Sequence, residues 1–190
     1  MQEFELEILD FVREHIRNGF LDTVMPTVTM CGNLGIFWIA TALVISAKAK
    51  YRRCSITMII GLLLGVLIGN LAVKNLIQRD RPCWINEIQD MLISNPQDFS
   101  FPSGHTLSSF CAATILYYYD KRLGIPSFGI ALLIAFSRIY LYVHFPTDIV
   151  GGAIIGILVA CLTISGTNKF LFSERKESRG QNKNKNRRFR

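Results

Sequence analysis

The sequence predicts an all-α integral membrane protein, a helical bundle of about five transmembrane helices preceded by an N-terminal amphipathic helix at the interface. Half of the 190 residues are hydrophobic and only 18% are charged, a composition that argues against a disordered chain. The apolar residues also form long runs that are nearly free of charge. A helix surrounded by lipid requires such runs, whereas a helix with one wet face does not.

Five apolar runs approach the roughly 20 residues that a helix needs to cross a hydrocarbon core about 30 Å thick. They cover residues 26–47, 54–73, 106–119, 124–142 and 148–172. The third run is short, so the helix has to include flanking residues to cross the membrane. Gly152 and Gly156 in the fifth run are four residues apart, which favours close internal helix packing. We expect residues 1–172 to form one membrane-embedded domain.

The N-terminal segment, residues 1–20, interleaves apolar and charged side chains with helical periodicity. This pattern predicts an interfacial helix rather than a span. The segment lacks the basic start, apolar centre and small-residue cleavage site of a removable signal peptide.

The placement of Lys and Arg predicts the orientation in the membrane. Basic residues follow the first, third and fifth runs, which puts these segments in the cytoplasm of a multi-pass cell-membrane protein. The basic tail at 173–190 is predicted to be disordered and cytoplasmic, and it fits a topology anchor on anionic lipid better than a nucleic-acid binder. The positive-inside rule places Lys and Arg in the cytoplasm, but three basic residues lie on the extracytoplasmic side: Lys74, Arg79 and Arg81. This exception indicates that they have a role other than topology.

Three polar clusters lie at span ends on that outer side. Lys74 and Arg81 are seven residues apart, so a continuing helix would present both on one face. Ser103 and Gly104 precede a helix, whose free N–H groups bind anions, although an ordinary N-cap is the alternative for Ser103. Arg138 lies in an apolar stretch, where it either faces a polar cavity or snorkels to the interface.

His144 and Asp148 form the third cluster, together with Arg138. A carboxylate bonded to one imidazole nitrogen leaves the other nitrogen free to act as base or nucleophile. The non-catalytic alternative is an interfacial His144 and an Asp148 that stabilises the start of a helix. Together with His105, the residues of the three clusters suit phosphoryl transfer, because that reaction needs cations, a nucleophile and an acid. A magnesium enzyme should show several carboxylates near the phosphates, so we predict a mechanism without metal or other cofactor.

The order and spacing of these residues form three motifs. They are Lys74 with six residues before Arg81-Pro82, then Pro102-Ser103-Gly104-His105, then Ser137-Arg138 with five residues before His144 and three more before Asp148. This arrangement resembles the type-2 phosphatidic acid phosphatase superfamily, and the surrounding apolar runs fit the membrane-embedded helical bundle of that family.

The resemblance implies a role for each motif residue. His144 is the nucleophile that forms a phosphohistidine, Asp148 orients it, and His105 protonates the departing oxygen. Water, activated with help from His105, then releases inorganic phosphate. The residues expected to hold the phosphate are Lys74, Arg81, Ser103, Gly104 and Arg138.

The predicted function is removal of the terminal phosphate from a membrane lipid phosphate or diphosphate at the outer leaflet. Undecaprenyl diphosphate is the preferred substrate, because recycling that carrier requires an outward-facing phosphatase. Phosphatidylglycerophosphate and phosphatidic acid are alternatives. A lipid-phosphate binder or transporter is the alternative from another class, but it would not require both histidines and Asp148.

Two further segments are given weaker roles. Arg79 and Asp80 are expected to pair with each other or to touch a lipid headgroup, outside the site. Residues 83–101 are expected to connect two spans and to shape access to the pocket.

Overall fold

Helices form the whole bundle in the part of the chain that the structure describes. The computed structural model describes residues 2–86, 88 and 90–171. Its α-helices are α1 Gln2–His15, α2 Gly19–Gly32, α3 Ile36–Ser46, α4 Arg52–Gly65, α5 Lys74–Ile77, α6 Pro82–Ile85, α7 Gly104–Tyr119, α8 Lys121–Tyr140 and α9 Pro146–Gly166. The π-helical segments Val66–Val73 and Thr167–Leu171 follow α4 and α9 without a break. The predicted all-α class is confirmed, and the predicted tail at 173–190 lies outside the described residues.

Candidate membrane spans number three or four among the described residues. Ala49–Ile85, Lys121–Tyr140 and Pro146–Leu171 are long and apolar enough to cross, and α2 with α3 gives a fourth if the bent pair counts as one span. The helix of the third predicted span, α7, has 16 residues and rises only about 24 Å. It lies in the middle of the bundle and packs against α4, α8 and α9.

The first predicted span, 26–47, is divided between two helices. α2 already begins at Gly19, because the side chain of Asn18 accepts a hydrogen bond from the N–H of Leu21 at 3.1 Å and caps the helix. α2 and α3 are bent by 61°, with one 3-10 turn, Asn33–Gly35, at the corner. Gly35 adopts a φ of 67°, which a residue without Cβ reaches without strain.

Two glycines let α9 approach α7 closely. A Cβ on Gly152 would lie 2.7 Å from the carbonyl oxygen of Ser103, and one on Gly156 would lie 2.4 Å from that of Leu107. The predicted internal packing role of this pair is confirmed. The approach brings the start of α7 beside the start of α9, where the N–H of Ser103 donates to the carbonyl oxygen of Asp148 at 3.1 Å.

α1 packs against the turn between α8 and α9. Leu9 is buried there with Tyr142 and Phe145. The side chains of Phe4 and Phe11 are exposed on α1. The N-terminal helix is therefore attached to the segment that carries His144.

Candidate active site

The predicted site residues converge where α5, α7 and α9 begin and α8 ends. His144, in the turn between α8 and α9, is 1% exposed, and Lys74, Arg81 and Arg138 are also buried. The charges of all three cations act on the imidazole of His144. Buried like charges are costly without an anion, so this cluster is suited to binding one.

The two ring nitrogens of His144 have different partners. Nε2 lies 3.1 Å from Nη1 of Arg81. Since a guanidinium can only donate, Nε2 accepts and the ring proton resides on Nδ1. Burial, followed by the charges of Arg81 and Arg138, keeps the pKa of His144 well below its ordinary value of 6.5. His144 is therefore a neutral imidazole with its lone pair on Nε2, the form that a nucleophile requires.

Asp98, in the connector before α7, binds both Lys74 and Arg81. Arg81 donates through Nη2 to the Asp98 carboxylate at 2.7 Å and through Nε to the Asp98 carbonyl oxygen at 2.6 Å, and Lys74 Nζ contacts the same carboxylate. The helix that was expected to align the two cations ends at Ile77, because Gln78 adopts a left-handed φ of 49°. The following turn brings them together instead, and a carboxylate lies between them.

Arg138 reaches the cluster from α8. Its side chain is buried, and Nη1 donates to Oγ1 of Thr29 in α2 at 2.5 Å. Nε is also buried and has no hydrogen-bond partner among the described residues. This burial excludes snorkelling to the interface. An unsatisfied guanidinium N–H is costly, and a bound phosphate oxygen would satisfy it.

Ser103, Gly104 and His105 open α7. Ser103 is the N-cap of α7, and its Oγ accepts from the N–H of Thr106 at 3.5 Å. Gly104 is the first residue of the helix. The imidazole of His105 lies at the corner between α2 and α3, where its Nε2 is 2.8 Å from Oδ1 of Asn33. The predicted proton donor is thus held by a residue from the break in the first predicted span.

Asp148 uses both carboxylate oxygens. Oδ2 accepts from Ser100 Oγ at 2.5 Å and from the N–H of Phe145 at 2.9 Å, and it lies 3.5 Å from Nδ1 of His144. Oδ1 accepts from Nη1 of Arg79 at 2.7 Å. Ser100 Oγ is also 3.4 Å from Nδ1 of His144. Both distances to Nδ1 are long for hydrogen bonds.

A family model matches the part of the chain that carries these residues. The family model of the PAP2 superfamily matches residues 53–171, which include all eight predicted site residues. The chain belongs to the PAP2 superfamily.

Relatives of the chain are named as phosphatases. Undecaprenyl-diphosphatase of Sulfolobus acidocaldarius is 29% identical over 128 residues, which are 67% of this chain and 62% of that protein. Phosphatidylglycerophosphatase B of Bacillus subtilis is 30% identical over 160 residues, 76% of this chain and 74% of that one. The alignment therefore spans about three fifths of the first relative and about three quarters of the second.

A solved PAP2 structure has the same architecture. The crystal structure of a transmembrane PAP2 type phosphatidylglycerolphosphate phosphatase from Bacillus subtilis superposes with a TM-score of 0.73 at 27% identity, covering 89% of this chain and 87% of that one. Together with the named relatives, it supports assignment of the chain as a lipid phosphatase hydrolase.

Several residues at the site lie outside the PAP2 motifs. The expected pairing of Arg79 with Asp80 is wrong, because Arg79 turns towards α1 and α9, where its partners are Glu5 and Asp148. Its position against the positive-inside rule was the sequence signal that it had another role. Ser100 lies three residues before a motif serine, and no pattern in the sequence indicated its role. Asn33 and Asp98 likewise enter the site only through the fold.

Proposed function

We propose that the protein is a membrane-embedded lipid phosphatase that uses His144 as its nucleophile. The observation that carries this proposal is the 3.1 Å contact between Nε2 of His144 and a guanidinium nitrogen of Arg81 inside a buried cluster of cations. Because a guanidinium can only donate, this contact requires a lone pair on Nε2. A phosphate that takes over the donors of Arg81 and the unsatisfied Nε of Arg138 would present its phosphorus to that lone pair.

The reaction then proceeds in two steps. In the first step the bond from phosphorus to the lipid oxygen breaks as a bond from phosphorus to Nε2 of His144 forms, and His105 gives its proton to the departing oxygen. Asp148 stabilises the Nδ1 proton of the imidazole. In the second step water attacks the phosphohistidine with His105 as the base, and inorganic phosphate leaves.

The proposed substrate is a lipid diphosphate or phosphate, with undecaprenyl diphosphate first. The Sulfolobus relative carries that activity in its name, and the Bacillus relative is named for phosphatidylglycerophosphate. Phosphatidylglycerophosphate is therefore the second substrate to test, followed by phosphatidic acid. We propose that fixed cations neutralise the phosphate, so that no metal is needed.

In the proposed topology, the chain crosses the membrane five times. The bent pair α2 and α3, the stretch through α4 and α5, and then α7, α8 and α9 are the passes, with α1 lying at the interface. The site then opens on the extracytoplasmic side and the tail at 173–190 is cytoplasmic. Protease added to intact cells should leave that tail uncut, whereas inverted vesicles should expose it; cleavage in intact cells would reverse the orientation.

The activity is tested by phosphate release from detergent-purified protein in the presence of a chelator. We expect release by the wild type from at least one of the three lipids and none above background by His144→Ala. Undiminished turnover in His144→Ala would refute the assignment of His144 as the nucleophile. Activity that disappears with chelator and returns with magnesium would refute the metal-free mechanism, and no release from any lipid would favour the binder or transporter.

A further inference from the structure

Arg79 joins three elements behind His144. It lies between α5 and α6 and belongs to none of the PAP2 motif positions. Its Nη1 donates to Oγ1 of Thr147 at 2.6 Å and to Oδ1 of Asp148 at 2.7 Å. Its Nη2 donates to Oε2 of Glu5 at 2.6 Å, and the guanidinium lies 4.0 Å from the centre of the Phe145 ring. The guanidinium of Arg79 is therefore held in place by two carboxylates and by the face of an aromatic ring.

We infer that Arg79 is a positioning residue for the His144 and Asp148 pair, and that Glu5 of α1 holds Arg79 in place. The inference rests on the proposed function, because it assumes that His144 is the nucleophile. A carboxylate can rotate about its Cβ–Cγ bond, and rotation of Asp148 would move Oδ2 away from Nδ1. Ser100 and the N–H of Phe145 hold Oδ2 of Asp148, and among the described residues Arg79 is the charged donor on Oδ1. Arg79 therefore fixes the second oxygen and, with these two donors, the plane of the carboxylate.

Glu5 is equipped to hold Arg79. Its side chain is buried, and Oε1 accepts from both the N–H and the Oγ1 of Thr147, at 2.9 and 2.6 Å. Burial raises the pKa of Glu5, but the hydrogen bonds from Thr147 and Arg79 outweigh it and leave that pKa below its ordinary value. Glu5 is therefore an anion that binds Arg79 and the first turn of α9 together.

A small cation from solution can reach this place. A cavity of about 400 Å³ opens beside the guanidinium, and its lining residues are Gln2, Glu5, Ile77, Arg79, Phe101 and Thr147. The Arg79 side chain is 22% exposed, whereas that of Asp148 is fully buried. Removal of the Arg79 side chain would therefore leave a space that a free guanidinium ion can enter.

The test compares Arg79→Ala and Arg79→Lys with Arg13→Ala, which removes an arginine paired with Asp90 at the surface. We expect Arg79→Ala to lower kcat for the lipid about 10- to 100-fold, because misplaced catalytic groups lose rates of this order. The KM should change less than about threefold, since Arg79 does not touch the substrate. Millimolar guanidinium should restore part of the lost kcat, and Arg79→Lys should retain more activity than Arg79→Ala.

The role of Glu5 is tested by Glu5→Gln, with Glu7→Gln on the exposed side of the same helix as the matched control. Glu5→Gln keeps an acceptor for Thr147 but loses the charge that holds Arg79, so kcat should fall about 3- to 10-fold while the control stays near wild type. Guanidinium should not rescue Glu5→Gln, because Arg79 is still present.

Two results would overturn the inference while leaving the proposed function intact. One is an Arg79→Ala variant with a kcat within about twofold of the wild type. The other is a KM that rises as much as kcat falls, without rescue by guanidinium, which would make Arg79 a substrate-binding residue. An active His144→Ala variant, measured in the same series, would instead refute the proposed function itself.

Discussion

We expect Asp98→Asn to bind inorganic phosphate more tightly than the wild type. The Asp98 side chain is 57% exposed, yet it neutralises two side chains that are only 6% and 2% exposed, Lys74 and Arg81. Burial raises the pKa of Asp98, but the hydrogen bond from Lys74 and the charge of Arg81 bring it below its ordinary value, so the carboxylate is ionised at neutral pH. A phosphate that needs the same two cations has to compete with it.

The size of the effect follows from the charge that is removed. A unit charge about 5 Å from a bound phosphate opposes binding by about 0.8 kcal/mol at a dielectric constant of about 80, and by about 3 kcal/mol at about 20. Since Asp98 is half exposed, we expect its charge to oppose phosphate binding by about 1 to 2 kcal/mol. Loss of that charge would lower the Ki for phosphate about 5- to 30-fold.

The assay is lipid hydrolysis at increasing concentrations of inorganic phosphate. Asp90→Asn is the matched control, because Asp90 lies in the same connector but pairs with Arg13 and Arg17 at the surface. Its Ki should equal that of the wild type. An unchanged Ki in Asp98→Asn would refute the competition, and a higher Ki would show that Asp98 orients the two cations for phosphate.

Two more predictions concern pH and packing. Because burial and the charges of Arg81 and Arg138 lower the pKa of His144, kcat/KM for the lipid should not fall as the pH drops through about 6.5; an acid limb at or above that pH would contradict a neutral buried nucleophile. Gly156→Ala should lose about 1 to 3 kcal/mol of stability, because its Cβ would lie 2.4 Å from the Leu107 carbonyl oxygen. Gly166→Ala is the control on the same helix, because its added Cβ would meet nothing within 4 Å beyond the neighbouring backbone of that helix, and it should melt like the wild type in detergent. Equal melting temperatures of the two variants would refute the close packing of α9 on α7.

The parts of the fold that follow from local sequence were predictable. Runs of apolar residues predict helices, and the motif spacing from Lys74 to Asp148 selected residues that the fold brings into one cluster. The corner at Asn33–Gly35 was not predictable in the same way. α3, after the corner, is even more hydrophobic than α2 before it, so the hydropathy profile shows no break there. The direction of a helix cannot be derived from the number of its apolar residues.

The carboxylates that bind the basic residues of the site come from distant positions in the sequence. Glu5 meets Arg79 across 74 residues of sequence, and Lys74 meets Asp98 across 24. Periodicity within one element carries no information about such pairs. The negative charge of Asp98 did not indicate a site either, because acidic residues in a connector are most often solvated. Only the packing of α1 and of the connector against the helix ends selects these carboxylates.

The corner between α2 and α3 limits how far the site can be treated as a separable module. Asn33 contacts His105, the proposed proton donor, and Thr29 contacts Arg138, yet both residues precede the segment 53–171 that the PAP2 family model matches. Grafting that segment onto the first helices of another relative would transfer the motif residues without two of their neighbours. Chimeric proteins should therefore keep the phosphate-binding residues in place more readily than the proton transfer by His105.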